Sequence, residues 1–339
     1  MRRRLSSWLR HLAGAGALAS ASGAAVAAGA PARASAQAGL TTEGAPFLLI
    51  PVGARALSMG QAVVADQGGT ESVWWNPAGL ARADKREVAV HHYGSLVGNG
   101  DVISILIPSS LLGVLTASVY ILNFGAQQIP DPNGNIIGSF TPLNVVYAAT
   151  YATPIGSRLS AGINFKVVQL RINCNGACGT LPTVSSTTAL DVGMQYDAGW
   201  LAPITVGVAI RNVGPKLQVN DEQQADPLPT RVQVGALYRV TSVERYAKNL
   251  DLRVTGDVID QLNLSSPTAR LGADLGYRKR AHIRAGYVFR EFQSSDEYGP
   301  SFGLGLTAGN LYLDIARMFE GFSNGAGQPP TYVSLRYLF

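Results

Sequence analysis

Few side chains in this chain have types and spacing suited to chemistry. Its two cysteines, Cys174 and Cys178, close the string Cys174-Asn175-Gly176-Ala177-Cys178 between two strand-like segments. In an exported protein such a pair reads as a disulfide-closed loop tip. Zinc would need two more ligands, and the histidines (His11, His91, His92 and His282) are not nearby. Nucleophilic catalysis needs a nucleophile, a base and an orienting group brought together, and no such pairing stands out among the many serines. No phosphate loop, calcium loop or zinc-protease string follows residue 36. The expectation is a non-enzyme with no catalytic residue, metal site or cofactor.

The other informative set is ionic. Asp191, Asp251, Arg253, Asp257, Arg270, Asp274, Arg284 and Asp314 carry both signs and fall on one face of strand-like segments. A single-sign ring would mark an ion filter, whereas mixed signs in a narrow lumen suit a structural network that holds a plug. Arg55 is expected to meet one of these carboxylates as a bidentate partner.

Positioning that network requires strands. From Glu87 onward the sequence divides into about fourteen segments of period-2 alternation, the pattern of spanning strands. They run over 86–94, 101–109, 111–124, 141–152, 158–170, 188–198, 203–212, 230–240, 249–259, 267–278, 280–291, 299–308, 310–319 and 331–339. In 250–258, Leu250, Leu252, Val254 and Val258 share one face while Asp251, Arg253, Thr255 and Asp257 share the other. Connections alternate between long (125–140, 171–187, 213–229, 320–330) and mostly short (Ser109-Ser110, Pro154-Ile155-Gly156, Lys279, Gly309), with 241–248 as the exception. That is how external loops and periplasmic turns differ in an outer-membrane barrel. Aromatics near segment ends, including Tyr120, Phe124, Tyr196, Trp200, Tyr287, Phe289, Tyr312 and Tyr337, are expected in interfacial girdles. A soluble β-sandwich would also give short alternating strands, but it explains neither the loop alternation nor the last strand, where Val333, Leu335, Tyr337 and Phe339 share a face.

One stretch is not strand-like. Gly53 to Leu80 contains Gly60, Gly68, Gly69 and the pair Asn76-Pro77, which favour close approach and turns, with Trp74 and Trp75 as large apolar faces. It reads as a compact plug, or else as a surface loop leading into a domain. Gly53-Ala54-Arg55-Ala56, Met59-Gly60-Gln61-Ala62, Ala65-Asp66 and Trp75-Asn76-Pro77-Ala78-Gly79-Leu80 together resemble the N-terminal signature of the PorV/PorQ family, within the FadL-like group of outer-membrane barrels. Gln61 stands where a second glycine is common, and Gln67-Gly68-Gly69 replaces an acidic pair. The resemblance implies an N-terminal hatch inside a barrel. The closing Tyr337-Leu338-Phe339 likewise resembles the C-terminal signal read by the barrel-assembly machinery.

Composition agrees with a membrane barrel. The chain is 47% hydrophobic and 14% charged, with 38 glycines, whereas soluble domains carry about a quarter charged residues. After Gln37 there is no apolar run long enough for a spanning helix. Residues 1–36, with an arginine-rich start, an apolar run from Leu12 to Ala30 and the small-residue site Ala34-Ser35-Ala36, read as a signal peptide cleaved near Ala36. They hold five arginines and no acid, so the formal charge of +5 falls to neutral without them, and no nucleic-acid surface is implied.

The expected organisation is therefore a signal over 1–36, a hatch over 37–85, and an all-β transmembrane antiparallel barrel of about fourteen strands over 86–339. It sits among outer-membrane lipid. Resemblance to PorV implies binding of secreted cargo or secretion-system subunits at the external loops and their transfer onward. Resemblance to the FadL-like group implies passage of hydrophobic small molecules past the hatch and sideways through the wall. The charged second-half lumen, unlike the apolar lining such ligands need, favours the first, with 127–140 and 213–229 as the contact surface.

Overall fold

The computed structural model describes residues 43–95, 98–177, 184–218, 225–262, 264, 267–289, 299–319 and 329–339, apart from the side chains of 244–246. The segment read from sequence as a signal peptide, with its expected cleavage near Ala36, lies outside these residues.

Short helical pieces come first: α1 (Ala54–Ser58) and α2 (Ser72–Trp75), with 3₁₀ turns at Pro46–Leu49, Gly69–Glu71 and Pro77–Leu80. The strands follow. They are β1 (Glu87–Gly94), β2 (Asn99–Ser109), β3 (Gly113–Asn123), β4 (Gln127–Pro130), β5 (Ile136–Ile155), β6 (Leu159–Gly176), β7 (Val184–Asp197), β8 (Ile204–Val213), β9 (Arg231–Arg239), β10 (Leu250–Gln261), β11 (Thr268–Tyr277), β12 (Ala281–Val288), β13 (Gly299–Ala308), β14 (Leu311–Met318) and β15 (Thr331–Leu338). The helix α3 (Thr241–Tyr246) occupies the long turn between β9 and β10.

Neighbouring strands are antiparallel, and β1 closes on β15 from Glu87↔Leu338 to Gly94↔Thr331. Because β3 pairs directly with β5, the short β4 stands outside a closed ring of fourteen. A closed ring leaves no sheet edge within the bilayer, where unpaired backbone is costly.

Across the membrane most strands of the ring alternate between more buried and more exposed positions. In β11 the exposed positions include Leu271 and Leu275, and the buried ones include Arg270 and Asp274. The exposed face is apolar around the ring, with Ile283 and Leu304 more than 60% exposed, as a lipid-facing wall requires. Tyr196, Trp200, Tyr287, Phe289, Tyr337 and Phe339 all lie on this outer side, and the rings of Tyr337 and Phe339 stack at 5.9 Å. Tyr120 and Tyr312, read from sequence as girdle residues, instead point inward. Tyr120 shares the buried face of Ser118 and Leu122, and Tyr312 shares that of Asp314 under the Arg336 guanidinium at 5.1 Å. Strand parity, not nearness to a segment end, decides the side.

The sequence-read strands all appear, but β4 and the outer parts of β5 and β6 were not anticipated. β5 has 20 residues and β6 has 18, where about 10 suffice to cross a bilayer. The surplus of β5 pairs with β4 on one side and with the surplus of β6 on the other, forming a projection beyond the membrane. There neither face meets lipid or lumen, so Ile136-Ile137-Gly138-Ser139-Phe140 carries no alternation. Cys174 lies on this projecting part of β6 and is disulfide-bonded, while Cys178 lies outside the described residues.

Candidate functional site: the hatch and its seat

The hatch fills the barrel from one mouth to the other. At the long-loop end, Glu43 pairs with Arg231 at 2.7 and 2.9 Å, and the Gly44 N–H donates to the Pro227 carbonyl at 2.8 Å. At the short-turn end, Arg86 and Phe339 exchange backbone hydrogen bonds where β1 meets β15. Between them Asn76 caps the last 3₁₀ turn, accepting from the Ala78 N–H at 3.0 Å, while its amide donates to the carbonyls of Val64 at 2.6 Å and Met194 at 3.2 Å. Pro77 suits the first turn because it has no N–H to satisfy there. Gly53, Ala54, Met59, Ala78, Gly79 and Leu80 of the hatch are also buried, and Trp75 donates its indole N–H to the Val52 carbonyl at 2.9 Å.

The wall receives the hatch through glycines. A Cβ on Gly162 would stand 2.4 Å from the Pro77 carbonyl carbon, on Gly193 1.9 Å from the Asn76 side-chain oxygen, and on Gly207 2.2 Å from the Val64 oxygen. On Gly272 it would reach the Met59 oxygen at 2.4 Å, and on Gly303 the Ser58 Cβ at 2.5 Å. These residues are a seat that sequence reasoning passed over. The signal was present, since they occupy inward positions of strands where a polar side chain is otherwise usual. Gln61, where the resembling family commonly has glycine, keeps a left-handed backbone at φ 60°, a conformation that disfavours a Cβ.

Arg55 corrects one expectation. Its two terminal nitrogens donate to Oδ2 of Asp66, at 2.8 and 2.5 Å, rather than to a strand carboxylate. The turn after α1 folds Asp66 back over Arg55, so the pair lies within the hatch itself, 11 residues apart in sequence. The wall joins at one remove, with Arg253 3.7 Å from the other Asp66 oxygen. Burial opposes ionisation of Asp66, but Arg55 and then Arg253 outweigh it and hold the carboxyl below its ordinary range.

From Arg253 a ladder of alternating charge runs around the wall. Arg253, Asp274 and Arg284 stand directly opposite one another on β10, β11 and β12. Arg284 then reaches over the bare Gly305 to Asp314 at 2.6 Å. Arg336 lies 3.8 Å from both Asp314 and Glu87, and Glu87 accepts from the Thr70 hydroxyl of the hatch at 2.7 Å. Asp251 is a rim residue, half exposed and 3.7 Å from Arg253. Asp257 accepts from the Val64 N–H at 2.9 Å and stands opposite Arg270 in register.

A second node, around Asp191, includes residues the sequence reading left out. Asp191 accepts from Lys166 at 2.8 Å, Asn164 at 2.9 Å and the Asn212 N–H at 2.7 Å. The last bond fills a bulge, where Arg211 and Asn212 together face one residue of β7. Arg211 donates to the Trp74 carbonyl at 2.7 Å and lies over the Trp75 ring at 5.1 Å. Lys166 was legible as an inward neighbour of Asn164 in period 2, but its partner was not.

Glu71 is different. It is buried, neither carboxylate oxygen has a hydrogen-bond partner, and His91 is 3.9 Å away. Burial pushes its carboxyl up to about 7, against the pull of Arg55 and Arg336. A cavity of about 10 Å³ lies between Arg55, Asp66, Glu71 and Ser72, and another of about 10 Å³ beside Trp74, Tyr120, Lys166 and Arg211. Each has room for roughly one water. The loop over 213–229, expected as a contact surface, is partly folded inward: Leu217 and Leu228 are buried and Phe47 packs on Tyr120 at 6.4 Å. Its two leucines leave water by covering the first turn of the hatch, and residues 219–224 lie outside the described set.

The family model described as type IX secretion system protein PorV matches residues 33–255. Among solved structures, the toluene transporter TodX of Pseudomonas putida is 10% identical, with 84% of this chain and 95% of that chain covered at a TM-score of 0.56. The toluene transporter TbuX of Ralstonia pickettii is 11% identical, with 85% and 98% covered at 0.55. The monoaromatic hydrocarbon channel CymD is 13% identical, with 86% and 98% covered at 0.57. At these identities the likeness is one of fold. No curated protein matches the chain.

Proposed function

Because this outer-membrane barrel belongs to the PorV family of type IX secretion system proteins, we propose that it receives secreted proteins at its long-loop face and passes them on, without conducting them through its own lumen. The proposal gives it no catalytic step. The observation that carries it is the seating of the hatch. Wall glycines meet hatch backbone, and Arg55, Asp66, Thr70 and Trp74 are each tied to strand side chains directly or through one partner. A lumen so filled suits a barrel that works with its outer surfaces.

Transport of a hydrophobic small molecule is the second reading, favoured by the fold shared with the toluene transporters. It requires the hatch to yield and the wall to open. Cross-strand pairing within the ring is continuous among the described residues, apart from the bulge at Leu190/Val192, and that bulge is filled by the Asp191 node.

The deciding experiment is native mass spectrometry of the protein extracted from its own membrane. A co-purifying secreted protein or secretion subunit, lost when 125–140 is replaced by a short Gly-Ser turn, supports the docking role. A bound lipid-like or aromatic molecule, kept in that variant, supports transport and overturns it.

A further inference from the structure

The short-turn rim carries a feature that neither hatch nor lumen uses. The β11–β12 hairpin turns through Arg278 and Lys279 and is closed by the Arg280 N–H donating to the Tyr277 carbonyl at 3.0 Å. Three cations, Arg278, Lys279 and Arg280, therefore make up the whole turn between the paired residues Tyr277 and Ala281. Both central residues have positive φ, 53° and 54°, the geometry that Asn-Gly fills most readily. Two long side chains are kept there against backbone preference, and an outlier of this kind points to function.

The Arg278 guanidinium lies over the outward Tyr277 ring at 5.2 Å. This holds it on the lipid side of the wall, at the level where interfacial aromatics lie. Lys248 is on the next hairpin, one residue before Asn249, whose carbonyl accepts from the Arg278 N–H at 2.8 Å. Lys248, Arg278, Lys279 and Arg280 are all exposed, and among the described residues none has a carboxylate partner within ion-pair distance. The pairing recurs along the same rim, with Arg158 over the Trp200 ring at 5.6 Å. Elsewhere on the short-turn rim, Leu111 and Leu112 between β2 and β3 and Leu201 between β7 and β8 are 88%, 60% and 75% exposed. Water disfavours such exposure, whereas a lipid boundary would cover these leucines.

We propose that this rim is a headgroup site for anionic phospholipid, with Arg278, Lys279, Arg280 and Lys248 holding the phosphate and Tyr277 beside the first acyl carbons. The site is continuous with the apolar wall, and its charge complements the ligand. Short turns face the periplasm in barrels of this kind, which assigns the ligand to the phospholipid leaflet.

The turn offers a variant that protects the fold, because Arg278→Asn with Lys279→Gly installs the residues its backbone prefers. A second variant, Lys248→Gln with Arg280→Gln, leaves the positive-φ positions untouched. The full chain is reconstituted in vesicles of phosphatidylethanolamine, phosphatidylglycerol and lipid A, and the lipids retained after release are counted by native mass spectrometry. The wild type should retain phosphatidylglycerol preferentially, and each variant should lose that preference by about tenfold, with a thermal midpoint for the Asn-Gly variant at or above wild type. Unchanged preference in both variants, equal loss of all three lipids, or retention of lipid A in place of phosphatidylglycerol would overturn the proposal.

Discussion

Gly286 of β12 and Gly60 of the hatch meet backbone to backbone: a Cβ added to Gly286 would lie 1.9 Å from the Gly60 amide nitrogen. Gly60 in turn donates that N–H to the Ser301 hydroxyl at 3.2 Å. The hatch is therefore held by contact closer than any side chain permits, and the wall cannot gain even a methyl group here without moving it.

Gly286→Ala is accordingly expected to destabilise the barrel by about 1–3 kcal/mol, the cost of overpacking a close-packed site. The hatch should become open to limited proteolysis before the wall unfolds. Gly256→Ala, whose Cβ meets the end of the Leu271 side chain at 3.3 Å and the Arg270 carbonyl at an ordinary 3.9 Å, should stay near wild type. Urea unfolding followed by gel-shift of the heat-modifiable band compares the two, and equal behaviour would remove the seat as an explanation.

Arg55 and Asp66 are each buried to 7% side-chain exposure. Removing one partner leaves a charge with too little compensation, at a cost of about 3–5 kcal/mol. Arg55→Ala and Asp66→Ala should each fall in that range, and the double variant should recover part of the loss. A double-mutant cycle in urea measures the coupling, and strict additivity would deny it.

Asn76 satisfies the Ala78 N–H and donates to the Val64 carbonyl at 2.6 Å. Asn76→Ala removes both bonds and should cost about 1–3 kcal/mol. Hydrogen exchange should show the loss at 64–66 and 77–80. Uniform loosening of the hatch would mean that the cap is not a local anchor.

Glu71 sets a pH dependence. Its folded-state value of about 7 lies above the ordinary 4.5, so the folded hatch holds this proton more tightly than the unfolded chain does. Its contribution is complete below pH 4.5 and is lost as pH rises through 7. Asp66, held low by Arg55, acts oppositely and weakens the hatch only in acid. Glu71→Gln should flatten the fall in urea midpoint between the two Glu71 values, and an undiminished fall would assign it to other groups.

Strand positions and most of their facing were legible in the sequence because period-2 alternation is a local property: Leu271 faces lipid and Arg270 faces inward whatever else the chain does. Asp274 and Arg284 could be placed on the inner face for the same reason. The projecting β4–β5 hairpin was not legible, since beyond the membrane nothing imposes alternation on Ile136 to Phe140.

What only tertiary structure decided is which inward group meets which. Ala54 donates to Ser334 across 280 residues of sequence, and Glu43 finds Arg231 across 188. Such pairs follow from ring closure and from the depth at which the hatch sits. Arg55 was expected to meet a strand carboxylate, yet a turn within the hatch brings Asp66 to it. The inward glycines show the same division. Sequence placed Gly162, Gly193, Gly207, Gly272, Gly286 and Gly303 in strands, but their purpose appears only when a second backbone occupies the space that a side chain would have taken.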